Sequence, residues 1–149
     1  MRPKSPRIAV RGIIMQQDRL LLVNAFRAGL SDLWCAPGGG AIAGQSLPEN
    51  LMREVHEETG LRIAVGAPAL VNEFYDPASA FHQVEVFFRC TIQHGQIDAA
   101  WRDPENIVTE RQFFSRNEIA KIRLKPDLLP AIAWQDGGLH YDPLERLVR

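Results

Sequence analysis

The sequence predicts an α/β or α+β domain in which strands precede and follow one long amphipathic helix. Three observations favour this fold class: apolar runs of strand length before residue 37, a capped helical pattern over residues 46–60, and strand and helix signals after it. The chain has 149 residues, of which 46% are hydrophobic and 23% are charged. These values are typical of one globular domain with a sizeable core, which we expect to span residues 1–149 with residues 1–6 as a flexible arm.

Three strands are predicted before the helix. Residues 7–15 alternate partly between apolar and polar, and residues 19–24 contain an apolar Leu-Leu-Leu-Val run that suits a buried strand. Residues 16–18 are suited to a hairpin turn between these two strands. A short third strand is predicted over residues 33–36, and it ends at Pro37, whose ring favours an extended conformation in the preceding residue.

Local signals define both ends of the central helix. Ser46 and Glu49 have the spacing of a capping box, and Pro48 lies in the first turn, where its missing N–H costs little. Gly60 stands in the usual place for a left-handed C-cap. An apolar stripe is expected to pack one face of this helix against the sheet, and it consists of Leu47, Leu51, Met52 and Val55.

Further strands and two short helices are predicted after Gly60. The predicted strands cover residues 62–65, 69–75, 81–92 and 107–114, with a polar loop at 98–106. Ser115 and Glu118 repeat the capping-box spacing and predict a helix to about residue 122. A second helix is predicted from residue 125 to about residue 134, and the polar segment from His140 onward gives no structural signal.

Three glutamates of the central helix form one acidic face. Glu54, Glu57 and Glu58 are three and four residues apart, so their side chains lie within a sector of roughly 100°. Like charges at this spacing repel, whereas a divalent cation such as Mg²⁺, which prefers carboxylate, water and phosphate oxygens, reverses the sign of the interaction. The glycine run Gly38–Gly40 just upstream lets the backbone approach a ligand without an intervening Cβ. A solvated acidic face is the alternative, but such a face does not require three glycines before the helix.

The segment from Gly39 to Leu61 resembles the signature of the Nudix hydrolases. That signature is a glycine, five residues, a glutamate, seven residues and then Arg-Glu-apolar-any-Glu-Glu-any-Gly-apolar. The matching positions in this chain are Gly39, Arg53, Glu54, Val55, Glu57, Glu58, Gly60 and Leu61. Where the family has its first glutamate, this chain has Gln45, which keeps one acceptor oxygen but lacks the charge of an anionic ligand.

The resemblance implies an α/β/α sandwich with a mixed β-sheet. It also implies a hydrolase that cleaves the pyrophosphate bond of a nucleoside diphosphate linked to another group, with one to three divalent ions polarising the phosphoryl oxygens. On this basis Glu54, Glu57 and Glu58 hold Mg²⁺ or Mn²⁺, Gly38 contributes a backbone carbonyl, and Arg53 orients the glutamates.

The substitution at Gln45 leaves two functional readings open. Losing the carboxylate is expected to weaken one ion site or an internal ion pair, which predicts an active enzyme with a higher metal requirement. The alternative is a Nudix-like module that binds a nucleotide and is catalytically weak or inactive. A purely structural domain, whose glutamates bind no metal, is a third reading.

The group that removes the proton from the attacking water varies across the family, and it is often a glutamate in the signature or in a later loop. Glu105, in a polar Asp-Pro-Glu-Asn turn before a predicted strand, is the first candidate here, and Asp103 is the second. The alternative for Glu105 is an ordinary solvated loop carboxylate.

Substrate contacts are predicted at Arg27, Gly39, Gly40 and His82. Arg27 is a candidate to reach a phosphate, and the two glycines allow close approach of the backbone. The aromatic side chains that could stack on a base are Phe26, Phe74 and Tyr75, for which core packing is the alternative. No sequence feature separates ADP-ribose from other nucleotide sugars, dinucleoside polyphosphates or (d)NTPs. Homodimers are common in the family, so the resemblance makes a homodimer one expected state.

Composition narrows the classes of partner and location. The net charge is −1 at pH 7, which gives no reason to expect a nucleic-acid duplex or an anionic membrane as partner. Cys35 and Cys90 lack metal-ligand spacing and are expected to be buried, reduced thiols. No apolar run approaches the ~20 residues of a membrane span, and no apolar stretch follows the basic N-terminal segment as it does in a signal peptide. Cytoplasm is therefore the default location.

Overall fold

The computed structural model describes residues 4–25 and 30–147 of the chain. In chain order its elements are β1 (Arg7–Gln16), β2 (Arg19–Asn24), β3 (Leu33–Trp34), β4 (Gly38–Gly40), α1 (Leu47–Thr59), β5 (Arg62–Asp76), β6 (Phe81–His94), β7 (Glu110–Ser115), α2 (Arg116–Ile119), β8 (Arg123–Leu124), α3 (Leu129–Ala133) and β9 (His140–Arg146).

The main sheet is mixed, as expected. Its order is β7-β2-β1-β6-β5-β9, with β4 paired to β1 beside this path. Two pairs are parallel, β1 with β6 and β5 with β9, and the other pairs of this sheet are antiparallel. A separate two-stranded parallel sheet joins β3 to β8.

Helices cover both faces of the main sheet. On one face α1 buries Leu51 and Val55 against residues such as Val10 and Ile14 of β1. On the other face α2 and α3 contribute Ile119, Leu129 and Ile132 to a second apolar cluster. This three-layer arrangement confirms the predicted α/β/α sandwich.

The ends of α1 are formed by the predicted caps. Ser46 accepts a hydrogen bond from the Glu49 N–H, and the Glu49 side chain accepts one from the Ser46 N–H, which completes the capping box. Gly60 ends the helix in the left-handed conformation, with φ of 78°. The prediction for Met52 is wrong, because that side chain is exposed and lies outside the buried stripe.

Several other boundaries differ from the sequence expectation. Residues 62–75 form one strand instead of two, and the predicted break near Gly66 and Pro68 survives only as irregular pairing between β5 and β6. The strand predicted from residue 107 begins at Glu110, and both C-terminal helices are shorter than predicted. Strands β4, β8 and β9 were not predicted, and each exists through its pairing with a neighbouring strand.

In the part of the chain that the structure describes, no helix combines the length and the apolar character needed to cross a bilayer.

Candidate active site

The glycine strand β4 holds one carboxylate of α1 directly. The Gly38 N–H donates a hydrogen bond to Glu58 Oε1 at 2.8 Å, and the Glu58 side chain is buried. Burial raises the pKa of the Glu58 carboxyl to about 8, against the opposing effects of Arg11 and of the Gly38 hydrogen bond. A buried carboxylate in this position is therefore stabilised by any additional positive charge.

Arg53 lies between the other two carboxylates of the acidic face. Its Nη1 is 3.0 Å from Glu54 Oε1 and 3.7 Å from Glu57 Oε1, and its Nη2 donates to Asn50 Oδ1 at 2.9 Å. Burial raises the pKa of Glu54, Arg53 opposes this shift, and the charges of Glu57 and Glu105 add to it. This is the geometry expected of a residue that orients the glutamates.

The other two glycines of β4 meet charged side chains at close range. A Cβ built on Gly39 would lie 2.7 Å from Cδ of Glu54, so the Glu54 carboxyl packs where only a glycine leaves room. Gly40 packs in the same way against the guanidinium of Arg7.

The donors gathered here have the chemistry that a hard divalent cation requires. Glu57 Oε2 is buried and has no hydrogen-bond partner, so one carboxylate oxygen is available as a ligand. The Gly38 carbonyl accepts a hydrogen bond from Arg11 Nη1 at 3.3 Å. This bond uses one of the two lone pairs of the carbonyl oxygen, and the other is left for a ligand. Among residues 4–25 and 30–147 no three His, Cys, Asp or Glu side chains already converge on a point. The set Glu54, Glu57, Glu58 and Gly38 fits a metal by its oxygen chemistry and stays a prediction as a ligand set.

The structure separates the two candidates for the base. Asp103 is buried, and its carboxylate accepts hydrogen bonds from the N–H groups of Glu105 (2.9 Å), Ile107 (3.1 Å) and Val108 (2.8 Å). Glu105 is exposed, and it lies close enough to Glu54 for its charge to act on that carboxyl. Asp103 thus organises the loop, and its charge also raises the pKa of Glu58, whereas Glu105 is exposed and its role as the base stays a prediction.

Asn50 is a buried residue of the site that the sequence analysis did not single out. Its Oδ1 accepts hydrogen bonds from the Ile42 N–H at 2.8 Å and from Arg53, and its Nδ2 donates to the carbonyls of Gln45 and Ser46. The sequence signal that could have indicated this role is the spacing of three residues between Asn50 and Arg53, which places both side chains on the same face of the helix. Gln45 itself is exposed, and its backbone is held by Asn50.

A cavity of about 180 Å³ adjoins the glycine strand through Arg11. Its polar lining includes the buried Glu85, which accepts hydrogen bonds from Arg11, from Gln83 Nε2 at 3.1 Å and from Asn72 Nδ2 at 3.3 Å. The walls are mostly apolar, and Phe74, one of the stacking candidates, lines them. Since a cavity of ~150 Å³ admits benzene, this one has room for an aromatic ring.

The remaining predicted substrate residues lie in different surroundings. His82 Nε2 is 2.9 Å from Glu73 Oε2, and Glu73 also accepts a hydrogen bond from the Tyr141 hydroxyl at 2.6 Å. The ring of Tyr75 packs edge-on against His82. Arg27 and Phe26 lie outside the described residues, so their predicted roles stay predictions.

Comparison with known proteins agrees with this architecture. The chain is 25% identical over 134 residues to the ADP-ribose pyrophosphatase of Methanocaldococcus jannaschii, covering 89% of this chain and 76% of that protein. It is 29% identical over 107 residues to human diphosphoinositol polyphosphate phosphohydrolase 2, covering 72% of this chain and 55% of that protein. The chain therefore spans about half the length of this second relative.

A solved structure shares the fold. A NUDIX hydrolase from Nitrosomonas europaea superimposes with a TM-score of 0.72 at 21% identity, covering 86% of each chain. The profile of the NUDIX domain matches residues 5–135, which is most of the sequence. The chain therefore belongs to the Nudix family and is a Nudix pyrophosphohydrolase.

Proposed function

We propose that this protein hydrolyses the pyrophosphate bond of a nucleoside diphosphate linked to another group, using Mg²⁺ or Mn²⁺ held by Glu54, Glu57 and Glu58. The observation that carries the proposal is the meeting of three elements at one place. The acidic face of α1, the glycine strand β4 and the Glu105 loop (residues 102–109) come together beside a cavity that Arg11 connects to β4.

The residues of the chain have distinct tasks in this reaction. The metal, when bound, neutralises phosphoryl charge and acidifies a water molecule. Arg53 keeps the carboxylates of Glu54 and Glu57 in place, and Gly39 lets the backbone lie against Glu54. Hydrolysis forms a P–O bond to the water oxygen and breaks a bridging P–O bond, and Glu105 takes the proton of the water.

ADP-ribose is the first substrate to test. The name of the Methanocaldococcus relative supports this class, as does a cavity with a mostly apolar lining, a few polar side chains and room for an aromatic ring. In this arrangement the pyrophosphate lies over β4 and one end of the substrate enters the cavity, whose lining includes Asn72 and Glu85.

The test is a turnover assay with identified products. Purified protein is incubated with Mg²⁺ or Mn²⁺ and ADP-ribose, other nucleotide sugars, (d)NTPs or diphosphoinositol polyphosphates. We expect metal-dependent release of AMP and ribose 5-phosphate from ADP-ribose, and a loss of about 100-fold or more in kcat for E57Q and for E105Q. E110Q, an exposed glutamate on β7, is the matched control and should retain activity. Turnover that survives a chelator, or survives E57Q, would overturn the proposal.

The competing function, a nucleotide-binding module with little catalysis, rests on Gln45. Gln45→Glu restores the charge that the signature has at this position, so we expect it to lower the metal concentration needed for half-maximal turnover. Nucleotide binding measured by calorimetry without turnover of any substrate, and without any gained in Gln45→Glu, would favour the binding module.

A further inference from the structure

Two free carbonyls in the last turn of α1 are capped by the side chains of Trp101 and of Arg111, which is the second residue of β7. The Gly60 N–H satisfies the carbonyl of His56 at 2.8 Å. The carbonyl of Glu57 accepts a hydrogen bond from Trp101 Nε1 at 2.8 Å, and that of Glu58 accepts one from Arg111 Nε. Carbonyls at a helix C-terminus lack partners within the helix, so these two side chains satisfy groups that would otherwise need water.

The position of the Trp101 ring is fixed by packing as well as by its N–H. A Cβ built on Gly60 would lie 2.8 Å from the ring, so the indole covers the space that the glycine leaves open. The ring of His56 packs edge-on against it, with centroids 5.4 Å apart. Gly60 therefore serves two purposes, the left-handed cap of α1 and the seat for Trp101.

Trp101 and the β7 residue Arg111 lie on either side of the Glu105 loop. Inside this loop the buried Asp103 carboxylate accepts hydrogen bonds from three backbone N–H groups. Arg111 Nη2 also donates a hydrogen bond to the carbonyl of Val108 at 3.4 Å. The loop is thus stiff internally and is attached at both ends to the backbone of Glu57 and Glu58. Both of these residues also carry carboxylates of the acidic face.

We propose that Trp101 and Arg111 are positioning residues, which fasten the Glu105 loop to the last turn of α1 and thereby hold Glu105 beside Glu54. The role rests on the proposed function, in which Glu105 takes the proton of the attacking water. Because both attachments are made to the backbone of the glutamates themselves, a movement of this turn carries the loop with it. The distance between base and acidic face is then preserved.

The test compares two tryptophan variants. W101F keeps an aromatic ring over Gly60 and removes only the N–H that reaches Glu57. W134F is the matched control, because Trp134 Nε1 donates to Asp18 at a place remote from α1. In metal-free protein we expect amide exchange at Glu105, Ile107 and Val108 to be about fivefold faster in W101F and unchanged in W134F.

Kinetics provide the second measurement. We expect W101F to lower kcat by about fivefold and to change KM by less than twofold. The reason is that the substitution removes one hydrogen bond that positions the base and no contact with the substrate. In the E105Q background the same substitution should have no further effect, because the group it positions is gone. R111K keeps the positive charge at the helix end and loses the guanidinium fork, so it should give the same pattern.

Three results would overturn the positioning role: unchanged amide exchange in W101F and R111K, an equal loss of kcat with and without Glu105, or full activity of E105Q. Failure of the proposed function is a separate result, since it appears as absence of turnover in the unmodified protein.

Discussion

Gly39 illustrates how much of this site depends on single atoms. The Glu54 carboxyl occupies the volume that any larger residue at position 39 would need. Burial raises the pKa of Glu54, Arg53 opposes this shift, and the charges of Glu57 and Glu105 add to it. A larger residue at position 39 would therefore displace the Glu54 carboxyl and change its electrostatic interactions with Arg53 and with the other glutamates.

A methyl group at Gly39 is expected to reduce catalysis more than stability. G39A should lower kcat by more than about tenfold, because the Cβ pushes Glu54 from its place. G12A is the control on the neighbouring strand β1, where a Cβ would make only ordinary contacts at 3.5 Å. The measurement is kcat with saturating metal together with the thermal midpoint of both variants. Equal activity of G39A and G12A would contradict the argument.

At the residue scale the sequence predicted the acidic face but only part of its support. Glu54, Glu57, Glu58 and Arg53 follow from helical spacing and from the family signature. Asn50 did not, because its role depends on where the preceding loop folds back over α1, which the spacing of side chains does not encode. The different roles of Asp103 and Glu105 likewise depend on which carboxylate the loop turns inward.

Among the elements, α1 was predicted most fully because its signals are local. The capping box and Gly60 act within a few residues, so their spacing in the sequence is sufficient. Strands β4 and β9 could not be predicted in this way. The first consists of three glycines and the second of mostly polar residues, and each becomes a strand only through hydrogen bonds to a partner distant in sequence.

Asn50 provides a prediction for the junction between the loop and α1. N50A removes the partner of the Ile42 N–H and frees Arg53 Nη2, so we expect a loss of about 2–3 kcal/mol in the free energy of unfolding. N117A, at an exposed position of α2, should change it by less than about 0.5 kcal/mol. Urea unfolding of both variants is the measurement, and equal stability would contradict the role of Asn50.

For the molecule as a whole, the two cysteines report on the integrity of the sandwich. Cys90 is buried in β6 and Cys35 lies near β2, and both thiols are free. Burial raises the pKa of Cys35 to about 11 and that of Cys90 to about 12. The sequence expectation of two reduced thiols agrees with this structure, although Cys35 is only partly buried.

Thiol labelling should therefore follow global opening of the fold. The thiolate is the reactive form, and a raised pKa lowers its fraction, so at pH 8 both cysteines should react much more slowly than a free thiol of pKa ~8.5. In urea both should react fully, and the rate for Cys90 should rise with the unfolded fraction. Rapid labelling of Cys90 in folded protein would be the contrary outcome, and mass spectrometry of the labelled peptides assigns each site.

The parallel pairing of β1 with β6 also governs the order in which the chain can fold during synthesis. Residues 7–14 pair with residues 83–90, so β1 keeps one unsatisfied edge until the ribosome has made most of the domain. Until then only the antiparallel contacts with β2 and β4 are available to it. A nascent chain stalled before residue 83 would expose a hydrophobic edge strand, which makes it a natural client for chaperones.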